Sequence, residues 1–162
     1  MITTKPFSPI LEGGLTELVG INEKVDQNDY SGSVGVDVSP GPQPSSGVIR
    51  SFAFYATEDG SGAVQDSAGI LYVLDADPAV ASGDTTLAAA EWPTVIGKVD
   101  VAQTEWSLDA GGGVAYINDQ PVWYHDLTTL YFVWKQTDAT GLNDAAGDDE
   151  QLEFNFWYER YS

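Results

Sequence analysis

The stretch Leu152–Ser162, LEFNFWYERYS, places five aromatic residues in eleven positions of a chain whose formal net charge is −19. Leu152, Phe154, Phe156 and Tyr158 fall on one side of a two-residue period, and Glu153, Asn155, Trp157, Glu159 and Tyr161 on the other. That period belongs to an extended strand, because successive side chains of a strand point to opposite faces. An apolar strand takes its backbone N–H and C=O groups out of water and must find partners for them on both sides. The segment is therefore expected as an interior strand, pinned by the core.

Working outward, Thr129–Gln136 (TLYFVWKQ) alternates in the same way, with Leu130, Phe132 and Trp134 set against Tyr131, Val133 and Lys135. Gly69–Asp77 (GILYVLDAD) contains a continuous apolar run that suits a central strand buried on both faces. Val48–Glu58 reads as a strand with Phe52, Phe54 and Ala56 on one side. Val95, Gly97, Val99 and Val101 mark one face of a half-buried strand in TVIGKVDVAQTEWSL, and GVAYIND supplies another. The glycines at 111–113 predict a flexible turn, since no Lys-Ser/Thr follows to make a phosphate loop. In GDTTLAAAEWP, Asp84 or Thr85 is placed to cap a short helix that ends before Pro93.

Residues 1–47 are rich in Pro and Gly, with short candidate strands at 15–21 and 34–38, and form an extended N-terminal arm and edge elements. Residues 48–162 form the core of what is overall a single domain, as a chain of 162 residues allows. Seven or eight short strands without alternating helices predict an all-β fold: an antiparallel, jelly-roll-like β-sandwich with at most one short helix.

The composition narrows function. Twenty-five acidic residues against six Lys and Arg repel phosphate backbones and anionic lipid, so neither nucleic acid nor membrane is expected as a partner. No apolar run reaches membrane-spanning length, and the opening MITTKPFSPILEGG lacks the pattern of a signal peptide. With no Cys, disulfides and thiolate metal sites are excluded.

The constellations that carry chemistry are weak. His125, the single His, precedes Asp126 at what reads as a strand entrance, and neighbours on a strand point apart, which makes a poor dyad. Asp144, Asp148, Asp149 and Glu150 depart from EF-hand spacing, so a solvated acidic loop is favoured over a Ca²⁺ site. No enzyme, catalytic residue, metal or cofactor is expected. Five Trp, at 92, 106, 123, 134 and 157, serve either as a sugar-stacking platform or as core and interface residues. Tyr131, Val133, Trp157 and Tyr161 lie opposite the inferred core faces and are expected to form an apolar docking patch if their strands pair.

The segments ILYVLDADP, EWPTVIGKVDV, GGGVAYIN, HDLTTLYFVWK and GDDEQLEFNFWYERY resemble the β-rich decoration, or auxiliary head, proteins of tailed bacteriophages. The resemblance covers about two thirds of the chain, and none of its segments is a diagnostic motif. It implies a virion structural protein, assembled in the host cytoplasm, that binds the major capsid protein on the capsid exterior as a dimer or trimer and stabilises the lattice. Phe7, Ile10 and Leu11 are the expected anchors of an arm laid across a neighbour. The alternative is a carbohydrate-binding sandwich on a virion surface or fibre.

Overall fold

The computed structural model describes residues 12–21, 25, 27–57, 68–109, 112–137 and 152–161. They form ten strands: β1 (Glu12–Ile21), β2 (Val34–Asp37), β3 (Ser45–Thr57), β4 (Gly69–Leu74), β5 (Val95–Val101), β6 (Trp106–Asp109), β7 (Gly112–Ile117), β8 (Val122–Leu127), β9 (Thr129–Gln136) and β10 (Leu152–Arg160). Two antiparallel sheets result. The larger runs β1-β10-β3-β7-β6, with β8 also paired to β3, and the smaller runs β2-β9-β4-β5. Successive strands repeatedly change sheet, so the chain is an all-β sandwich.

β10 lies between β1 and β3, as its alternation requires. Its inward residues Leu152, Phe154, Phe156 and Tyr158 are buried, and Phe132 of the other sheet meets Phe156 at 5.1 Å and Phe154 at 5.3 Å between ring centres. Phe54 joins Phe154 at 5.7 Å and Trp134 at 5.8 Å. These tilted rings tie the two layers together, with Leu71, Val73 and Val99 filling the space around them. Gly69 is what lets Trp134 in: a Cβ there would collide with the indole and with the Lys135 carbonyl.

β4 is central to its sheet and buried on both faces. Leu71 and Val73 enter the inter-sheet core, whereas Tyr72 and Leu74 enter a second apolar cluster with Tyr30, Val80, Leu87 and Val133 on the sheet's outer side. Residues 75–94 supply that cover. They form turns instead of the short helix expected near 84–92. Three of their hydrogen bonds span three residues (Asp84 N to Ala81 O, Glu91 N to Ala88 O, Thr94 N to Glu91 O), and the Asp84 and Glu91 carboxylates accept from the backbone of Ala81 and Ala88. Local carboxylate bonds compete with a helix, and Pro93 sits inside the single turn of 3-10 helix at Trp92–Thr94.

Further differences from the sequence reading have local causes. The strand read through TVIGKVDVAQTEWSL is two strands in different sheets, β5 and β6, parted by a 3-10 turn at Gln103–Glu105. Gly112 and Gly113 belong to β7 and not to a turn; a Cβ on Gly112 would come within 2.9 Å of the Ala56 carbonyl. β1 and β2 occupy sheet edges.

Candidate outer-face aromatic site

The outer face of the smaller sheet is covered around β4 and β9 by residues 75–94; that of the larger sheet displays aromatic side chains. On β3, Phe52, Phe54 and Ala56 point inward, which leaves Tyr55 outward opposite Glu153 of β10 and Val114 of β7. On β7, Ala115 and Ile117 are buried and Tyr116 between them is 60% exposed. On β8, Val122 and Tyr124 are buried and Trp123 is likewise 60% exposed. Trp157 and Tyr161 complete the face from β10 and the residue after it, both half-buried.

A register shift shapes one end. Trp157 faces Ser51 and Tyr158 faces Ile49, so Arg50 is an extra residue on β3. A bulge of this kind turns a side chain out of the ladder's regular alternation. The Arg50 guanidinium lies 5.7 Å from the Trp123 ring centre and donates to Glu159 Oε2 through Nε at 3.1 Å and Nη2 at 2.9 Å. Nη2 also donates to the Tyr161 hydroxyl at 2.9 Å, which donates in turn to Glu159 at 2.8 Å. The Tyr161 ring stacks on Trp123 at 6.0 Å and 18°. The hydrogen bond from Arg50 holds the Glu159 carboxyl below its ordinary range, with Tyr161 adding to it.

Beside Trp123 an open cleft of about 440 Å³ is lined by Asp75, Ile96, Tyr124, His125 and Leu127. His125 stands within β8, exposed, and not at a strand entrance; Asp126 after it has a left-handed backbone (φ 56°) and donates its N–H to Ser46 Oγ. Among the described residues, no three His, Asp or Glu side chains gather as metal ligands, and no helix is long and apolar enough to cross a membrane. The acidic residues Asp144, Asp148, Asp149 and Glu150 lie outside the described residues, as do Phe7, Ile10 and Leu11.

The expected patch of Tyr131, Val133, Trp157 and Tyr161 does not assemble. β9 and β10 belong to different sheets, so Trp157 and Tyr161 lie on one side of the sandwich and Tyr131 and Val133 on the other. Val133 is fully buried beneath the 75–94 cover, and Tyr131 packs partly buried against the same cluster. Of the five Trp, 134 and 106 are core residues; Trp92 stands edge-on to Tyr72 at 5.7 Å, half exposed. Tyr55, Tyr116 and Trp123 were missed as a group, although each interrupts a run of inward positions by one residue, the mark of an outward side chain. Compared with known proteins, the chain matches no family model and no curated protein.

Proposed function

We propose that this protein is a nonenzymatic structural protein that docks through the outer face of its larger sheet onto another protein. One observation carries the reading: two sheets of one sandwich treat their outer faces differently. The smaller is covered by residues 75–94, with Val80 and Leu87 buried against it and Trp92 half exposed, while the larger leaves both Trp123 and Tyr116 60% exposed. Large exposed rings grouped on a sheet face favour a partner, since Trp and Tyr anchor protein interfaces disproportionately.

Taken with the resemblance to tailed-phage head proteins, the partner we propose is the major capsid protein on the capsid exterior, bound by a dimer or trimer that clamps the lattice. The acidic charge supports this role by keeping particles dispersed and away from the genome. The test is co-sedimentation with capsids. Attachment near the stoichiometry of the capsid protein, lost in a Trp123→Ala/Tyr116→Ala variant, is the expected result; a protein that never sediments with particles refutes the capsid assignment.

A second reading, a carbohydrate-binding module, is favoured by the cleft beside Trp123, where Asp75 and His125 offer polar groups to sugar hydroxyls next to an indole. A glycan array decides: specific binding lost on Trp123→Ala or Trp157→Ala supports it.

A further inference from the structure

Building on the docking reading above, we infer that the aromatic outer face of the larger sheet receives a cationic protein surface, with guanidinium or ammonium groups of the partner seated on the exposed rings of Trp123 and Tyr116. The faces of aromatic rings carry negative potential and attract cations. On a chain with a net charge of −19 that attraction acts within a long-range field of the same sign, which draws basic groups in and turns acidic ones away.

The molecule already displays the contact. Four of its cations stand among the described residues, Arg50, Lys98, Lys135 and Arg160, and two of them lie over rings: Arg50 over Trp123 at 5.7 Å and Lys135 over Tyr30 at 5.0 Å. The Arg50 seat shows what the face does with a guanidinium: an indole beneath it, a carboxylate beside it from Glu159, and a phenol oxygen from Tyr161. Tyr116 on β7 offers further exposed ring surface, Trp123 stays 60% exposed beside Arg50 and Tyr161, and Glu153 opposite Tyr55 places another carboxylate on the same face. Among the described residues, Arg50 is the cation of this face, and its charge is offset by Glu159 at 2.9 Å.

The experiment is an NMR titration of the full chain with a short Arg-Gly repeat peptide, a Glu-Gly peptide and a neutral oligosaccharide. Binding is expected for Arg-Gly only, with shifts confined to Tyr116, Trp123, Trp157 and their neighbours, weakening as salt rises from about 50 to about 300 mM. The Trp123→Ala/Tyr116→Ala variant keeps the net charge and is expected to bind roughly tenfold more weakly; Trp123→Phe/Tyr116→Phe restores most of the affinity. Equal binding by the Ala variant, shifts spread over the whole surface, no binding of Arg-Gly, or binding of the oligosaccharide at these rings overturns the inference. The docking reading fails separately: if the Ala variant still sediments with particles the face is not the docking surface, whereas lost sedimentation without Arg-Gly binding leaves docking intact and removes only the cationic partner.

Discussion

Trp134 donates its indole N–H to the side-chain oxygen of Gln136 at 2.7 Å, two residues along the same strand, with both side chains closed to solvent. Ser31 adds to the anchor: its hydroxyl accepts from the Trp134 backbone N–H at 2.9 Å, and its own N–H donates to the Trp134 carbonyl at 2.8 Å. A polar amide is thus kept in the core to satisfy the largest ring there.

Replacing Gln136 with Leu strands the indole N–H without its acceptor. Leaving a buried donor unsatisfied costs about 1–3 kcal/mol, so a drop in Tm of roughly 3–10 °C is expected by calorimetry. Adding Trp134→Phe removes the stranded donor and is expected to recover part of the loss.

Deletion from Leu152 onward removes an interior strand together with three fully buried side chains, Leu152, Phe154 and Phe156. Each contributes about 1.5–3 kcal/mol by burial alone, and β1 and β3 lose their common partner, against a typical stability of about 5–15 kcal/mol. The truncated chain is expected to show no cooperative thermal transition; one that melts sharply refutes the role given to β10.

Burial pushes the phenols of Tyr124 and Tyr72 up to about 12. Their unfolded value is near 10, so between about pH 10 and 12 the unfolded chain releases protons that the folded chain keeps. Stability is therefore full below pH 10 and declines as pH rises through that window. Denaturant midpoints measured from pH 9 to 12 are expected to fall, with Tyr72 and Tyr124 titrating late in the ultraviolet.

The Tyr124 hydroxyl is buried with no hydrogen-bond partner among the described residues. The Ser45 hydroxyl opposes the upward shift, yet its own proton goes to the Val38 carbonyl at 3.0 Å. Tyr124→Phe removes the orphaned oxygen and is expected to raise stability by about 1 kcal/mol while shrinking the alkaline loss. A lower Tm in that variant contradicts this account.

Glu159 is held below the 4.5 usual for a glutamate chiefly by Arg50. The interaction is present above that value and lost as pH falls through the lower folded one. Because the pair is exposed, Arg50→Gln is expected to move Tm little while returning the Glu159 titration midpoint, followed by NMR, toward 4.5.

The alternation of Leu152–Tyr158 and Leu130–Trp134, and the double-sided burial of Leu71–Leu74, were legible in the residues, because the two-residue period is a property of each strand alone. So was the fold class. Which strands become neighbours was not legible: pairing is decided between distant segments, and it was pairing that sent Val133 beneath Val80 and Leu87 while it brought Tyr116, Trp123 and Tyr161 to one face. The helix expected near residues 84–92 gives way to turns held by the Asp84 and Glu91 carboxylates, and Leu87 within them is buried against the sheet. Local periodicity says which side of a strand is greasy; only the assembled sheets decide whether that side meets the core, the chain's own cover or the solvent.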